Sequence, residues 1–261
     1  MTTTSPVVAR EGRIVTVTFN DPENGNRLTP PVLATLAAVV GELVDDQDAQ
    51  VVIITGSGTE FFSSGILSPA IRRELAKDEI VRLVLQANRL YDAIEGLPQI
   101  VIAALNGEAR AGAAELCLAC DIRLAAENAS FRLPEASWGG FPGAGGPVRL
   151  PAIVGRARAL EIICSGRQVL APEMERVGLA LAVHPTERLM IEARALAETI
   201  TANGPLATRG AKRIVNARLT SGFAAARALS DALRAAVEWS QDVDEGTAAH
   251  AEGRSPRFTG R

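Results

Sequence analysis

Residues 99–122, QIVIAALNGEARAGAAELCLACDI, decide the fold class. They open on an unbroken apolar run of strand length, the pattern of a strand buried on both faces of a parallel sheet. A glycine loop ends the run, and small and apolar residues from Gly112 onward predict a packed helix. The same order stands upstream. VVIITG (residues 51–56) is a second buried strand and FFSSGIL (61–67) a second glycine loop. EIVRLVLQANRLYDAIEGL (79–97) then carries apolar residues at helical spacing into the next strand. Strand, glycine loop, helix, strand is thus a repeating unit, and it predicts an α/β fold.

The flanks extend the pattern. Alternation from Ile14 to Phe19 predicts a half-buried strand, and DPENGN after it a polar turn. A helix is predicted from about Pro30 to Val44, with Thr29 as its cap and prolines in its first turn. DIRLAAENASFRLPE predicts two short strands around AENA, and GLALAVHP another near residue 180. From Thr186 onward nearly everything is helical, and no Pro/Ser linker sets this part off. The expected division is a core over residues 1–195 and a helical subdomain over 196–261, which packs on the core or mediates assembly.

The 261 residues are 47% hydrophobic and 22% charged with net charge −3, so one large core is affordable by size and no basic field addresses nucleic acid. MTTTSPVVAREGRIV lacks the pattern of a secretory signal, and no stretch approaches the roughly 18 apolar residues of a membrane span. A cytoplasmic protein with no membrane partner is expected. Three cysteines, Cys117, Cys120 and Cys164, are too few and odd in number for a disulfide framework.

Among candidate chemistries, the Cys117-x-x-Cys120 pair lacks both a redox setting and a second ligand pair at metal spacing. It is an apolar helical turn, and no metal site is expected. His184 and His250 are the only histidines, one beside Pro185 and one in a polar stretch, so a Ser–His–Asp arrangement has poor material. Carboxylates are the better acid/base candidates. Glu115 has only apolar residues and Gly112 within three positions, surroundings that raise a carboxyl pKa. Glu135 ends a short strand ahead of the glycine-rich WGGFPGAGG. The two glycine loops each deliver backbone N–H groups to a helix start, and two amides aimed at one point make an oxyanion hole. FPGAGGPVRLP lacks the Lys-Ser/Thr ending of a phosphate loop and is taken as a helix start lining a pocket.

With these residues in place, the chain resembles the enoyl-CoA hydratase/isomerase, or crotonase, superfamily over nearly its whole length. The likeness runs through VTFNDPENGNRLT, VVIITGSGTEFFSSG, IVIAALNGEARAGAAELCLACDIRLAAENASFRLPEASWGGFPGAGGPVRLPAIVG and SGRQVLAPEMERVGLALAVHP, then PLATRGAKRIVNA and the terminal EGRSPRFTGR. The resemblance implies a spiral of repeated ββα units with a C-terminal helical trimerisation subdomain, a homotrimer or hexamer, and an acyl-CoA thioester substrate without further cofactor. By position it gives the oxyanion-hole amides to Ile66 and Gly112, the two water-holding acids to Glu115 and Glu135, and a helix-start amide near that water to Gly143. Coenzyme A is expected to meet Arg27, Ser64 and the tail around Phe258, with Arg254, Arg257 and Arg261.

Two departures from the family pattern bear on substrate. Ser64-Gly65-Ile66-Leu67 stands where Ala-Gly-Ala/Gly-Asp is usual, and Arg110 replaces an apolar residue. Retention of both acids favours a hydratase or dehydratase over a Δ3-Δ2-enoyl-CoA isomerase. A third reading, motivated by SSGIL, is a catalytically weakened acyl-CoA-binding protein.

Overall fold

The computed structural model describes residues 5–261. Its strands are β1 (Val7–Glu11), β2 (Ile14–Phe19), β3 (Val51–Gly56), β4 (Phe61–Ser63), β5 (Ile100–Leu105), β6 (Glu108–Arg110), β7 (Ile122–Ala126), β8 (Ser130–Arg132), β9 (Gln168–Leu170) and β10 (Ala182–His184). They form a six-stranded sheet in the order β1-β2-β3-β5-β7-β10 and a four-stranded sheet in the order β4-β6-β8-β9. Pairing is parallel except at β1–β2 and β8–β9. Three successive turns of the chain give one strand to each sheet, β3 then β4, β5 then β6, β7 then β8. This is the expected spiral of ββα units.

The helices are α1 (Pro30–Asp45), α2 (Pro69–Glu74), α3 (Lys77–Glu95), α4 (Gly112–Ala119), α5 (Gly146–Val154), α6 (Arg156–Ser165), α7 (Ala171–Arg176), α8 (Leu189–Thr201), α9 (Pro205–Thr220), α10 (Phe223–Glu238) and α11 (Gln241–Glu252). The strands of the large sheet other than β1 lie where the sequence pattern places them, and every residue of β3 is buried. Those around AENA do form, but β7 joins the large sheet and β8 the small one. The strands missed by pattern are β1, whose residues are all exposed, and the three-residue β4, β6 and β9. A three-residue strand is too short to show a period.

Thr29 stands at the start of α1, but its side chain makes no cap bond and Oγ1 is buried without a partner. The prolines at the first turn lower the need for a cap, since they remove donors that would otherwise go unsatisfied. Cys117 and Cys120 are buried free thiols, as the apolar reading of ELCLAC expects. The position 195/196 falls inside α8, a helix lying against β3, β5 and β7. Beyond it, Lys212 of α9 reaches back to the Gln99 carbonyl at 2.8 Å and Asp121 at 2.7 Å. Among the described residues no helix is long and apolar enough to cross a membrane.

Candidate active site

The site is built where the β4 and β6 ends meet α4. Gly65 has φ +88 and lies so close to the second loop that a Cβ on it would be 2.5 Å from the Arg110 carbonyl oxygen. Ser63 Oγ accepts the Gly65 N–H at 3.1 Å and the Gly65 carbonyl accepts the Leu28 N–H at 3.0 Å, which fixes the turn. On the facing segment Ala111 holds φ 52 and ψ −126, a left-handed-side conformation that L residues rarely adopt. It turns the chain so that α4 starts at Gly112, whose carbonyl accepts the buried Tyr91 hydroxyl at 2.8 Å. Among the described residues neither the Ile66 N–H nor the Gly112 N–H donates to another protein group. Two unengaged amides on adjoining loops can stabilise a developing oxyanion.

One helical turn on, Glu115 is 2% exposed. Its Oε1 accepts the N–H groups of Ala144 and Gly146, each at 2.8 Å. Glu135 lies in the 3-10 turn Pro134–Trp138, and its Oε2 is buried with no hydrogen-bond partner. Both acids, with Ile66 and Gly112, line a single cavity of about 330 Å³. Its remaining wall is mostly apolar and includes Val84, Leu85, Trp138 and Phe141. Burial and the nearby Glu135 charge push Glu115 up to about 8, against the pull of the two amides and of Arg149. Burial pushes Glu135 up to about 7. Such a pair titrates as a unit and carries one proton near neutrality.

Not every expected residue meets there. Gly143 lines the cavity, but the amides on Glu115 come from Ala144 and Gly146, and the Gly143 carbonyl accepts from Asn88 at 2.9 Å. Arg27 and Ser64 do not line this cavity, and the Ser64 N–H bonds the Gly25 carbonyl at 2.8 Å. Phe258 packs within its own chain, lining an apolar pocket with Leu206, Val237 and Val243. Arg261 is exposed at the chain end, and Arg254 is tied to Glu245 and Glu252. Arg110 pairs with Glu108 at 2.7 Å and sits over the Phe61 ring, away from the cavity. His184 and His250 also lie outside it. Pattern reading missed Ala144 and Gly146 because a backbone amide leaves no side-chain signature. It missed Arg149 as well, whose only mark is a charge inside the apolar VRLPAIV.

The geometry has counterparts among known proteins. Residues 9–261 match the family model for enoyl-CoA hydratase/isomerase. YngF of Bacillus subtilis is 37% identical over 244 residues, covering 94% of both chains. The crotonyl-CoA hydratase of Syntrophomonas wolfei is 31% identical over 252 residues, covering 97% of this chain and 96% of its own. A crystal structure of enoyl-CoA hydratase from Bacillus anthracis superimposes with a TM-score of 0.95 at 33% identity, covering 98% of this chain and 99% of that one. Two loop amides and two carboxyls around one cavity, on a ββα spiral matched from end to end, place this chain in the enoyl-CoA hydratase/isomerase family.

Proposed function

We propose that the chain hydrates a 2-enoyl-CoA thioester, and dehydrates the 3-hydroxyacyl product in reverse, through an enolate-like transition state held by the Ile66 and Gly112 amides. The convergence of Glu115 and Glu135 on one cavity with those amides carries this reading. Water held between the carboxyls attacks C3, its proton passing to Glu115 as electrons move through C2 and C1 onto the thioester oxygen. Glu135 delivers a proton to C2 as the enolate collapses. The proton gained by Glu115 then returns to Glu135, so the pair ends with the proton count it began with. Burial raises Glu115 further than Glu135, so the shared proton at rest favours Glu115; the form that attacks has it on Glu135, and the two amides on Oε1 lower the cost of that charged Glu115. Each oxyanion amide contributes about 3–4 kcal/mol to the barrier reduction. The chemistry needs no metal or redox cofactor, because amide dipoles and one shared proton carry all the charge that moves.

Coenzyme A enters from the side of Arg27 and Ser64, whose charge and hydroxyl suit phosphate and amide groups. The core over residues 1–195 holds the chemistry, and residues 196–261 support assembly into a homotrimer or hexamer in the cytoplasm. Exposed apolar side chains on α9 and α10, Val215, Leu219 and Phe223, support that assembly role. Loss of enoyl absorbance on incubation with crotonyl-CoA tests the reaction. Full hydration by a Glu115→Gln variant would sink the mechanism, and turnover of a 3-enoyl ester without hydration would turn the reading to isomerase.

A further inference from the structure

Asn88, Tyr91, Asp92 and Glu95 lie on one face of α3 at the i, i+3, i+4 and i+7 spacing. Two of them reach the backbone that builds the site, and two reach the Arg149 side chain behind it. Asn88 donates to the Gly143 carbonyl at 2.9 Å and Tyr91 to the Gly112 carbonyl at 2.8 Å. Asp92 and Glu95 accept the Nη2 and Nε of Arg149 at 2.5 and 2.8 Å. The Arg149 side chain is only 6% exposed, and its third contact is Nη1 on the Ala144 carbonyl at 3.4 Å. Gly145, the residue between the two amides that hold Glu115, has φ +105, and a Cβ there would lie 2.0 Å from Arg149 Nη1. The guanidinium is therefore packed directly behind the turn that grips the carboxyl.

We propose that Arg149, clamped to Asp92 and Glu95 on α3, is a positioning residue for Glu115: it locks the Ala144–Gly146 amides onto Oε1 and keeps that carboxyl able to ionise. The proposal rests on the reading of Glu115 as the group that activates water. The groups facing Glu115 divide clearly. Glu135, from the turn after β8, favours the protonated form, and Arg149, from α5, the charged form. Tyr91, from α3, is buried and neutral, its hydroxyl held well above its ordinary range. Asp92 and Glu95 are partly exposed and offset part of the Arg149 charge. An arginine suits this place because its planar fork serves two carboxylates and a carbonyl at once, which an ammonium cannot do.

The test is a carboxyl-carbon NMR titration of protein labelled with [δ-13C]glutamate, with the Glu115 signal assigned through a Glu115→Gln sample. In Arg149→Met the Glu115 midpoint rises by about one pH unit or more. At neutral pH kcat falls by about 10- to 100-fold while KM stays within about threefold. Arg149→Lys restores the midpoint but only part of kcat. Should Arg149→Met fail to fold, Asp92→Asn/Glu95→Gln alters only partly exposed acids and has the opposite sign: an uncompensated Arg149 lowers the midpoint. A folded Arg149→Met or double variant with an unmoved Glu115 midpoint overturns the proposal, whatever happens to its kcat. Because the titration needs no turnover, it decides the clamp even if the wild-type chain fails to hydrate any enoyl ester, a result that would count against the proposed reaction.

Discussion

Gly65 and Gly112 stand in such contact that a β-carbon on Gly65 would lie 3.2 Å from the Gly112 nitrogen. The two amide donors are therefore set by one backbone approach, and any side chain at Gly65 must push the loops apart. The cost is compounded by φ +88, which disfavours every L residue. Gly65→Ala is expected to lower kcat by about 100-fold or more, since one donor leaves its place. Equilibrium binding of a saturated acyl-CoA, which develops no oxyanion, changes far less, and calorimetry alongside the hydration assay checks the contrast.

The acid pair predicts a bell-shaped pH dependence. Hydration needs one carboxyl charged and one protonated, and that state of the pair is most populated between its apparent values of about 7 and about 8. The profile of kcat/KM against pH falls below this window as Glu115 and Glu135 both take protons, and above it as both lose them. Glu135→Gln removes the lower limb's partner and leaves a single titration with little residual activity. A flat profile from pH 6 to 9 contradicts the shared-proton mechanism.

The same carboxyls make the site a stability liability. A carboxyl whose folded pKa is raised binds its proton more tightly in the folded than in the unfolded chain. The slope of unfolding free energy with pH is then negative between the unfolded value near 4.5 and the folded value of about 8 for Glu115. The penalty is absent below that range and complete above it. Glu115→Gln, which keeps an acceptor for the Ala144 and Gly146 amides, is expected to melt higher than wild type at pH 8 and by a smaller margin at pH 5. Thermal scans at the two pH values, on a variant that has lost hydration, check it.

Which features the sequence disclosed follows from how each is encoded. β3 and β5 are legible because a strand buried on both faces must be apolar throughout. Glu115 and Glu135 stand out because an acid within an apolar helix or beside a glycine turn has few structural explanations. Apart from β8, the small sheet was hidden: β4, β6 and β9 have three residues each and are held by pairing with distant partners, such as Ala109 of β6 with Phe131 of β8. In the turn over Gly143–Gly146, Gly143 lines the cavity, and the Ala144 and Gly146 amides bond Glu115, a contact that sequence reading missed. That register depends on Gly145 at φ +105 and on the guanidinium behind it, neither of which the order GAGG determines. Arg110 drew attention as a departure from the family pattern, but Glu108 two residues away on β6 and the Phe61 ring account for it.

Phe258 distinguishes a latch from a ligand platform. Its ring sits against Gly204 and Gly246, where added β-carbons would lie 3.8 and 3.4 Å from it, and it shares an apolar pocket with Leu206 and Val243. The backbone around it is fastened too: the Thr259 and Gly260 amides donate to Asp242 at 2.6 and 3.0 Å, and the Arg257 amide to Glu245 at 2.6 Å. Arg13 holds the Phe258 carbonyl from the other side. Phe258→Ala is thus expected to cost about 1–3 kcal/mol of stability, below the range for a fully buried phenylalanine because this one is only half-buried. KM for an enoyl-CoA stays within about twofold at a temperature where the variant is folded. Phe258→Leu, which refills the pocket without an aromatic face, recovers most of the loss. A large rise in KM in both variants with unchanged melting would assign the ring to coenzyme A instead.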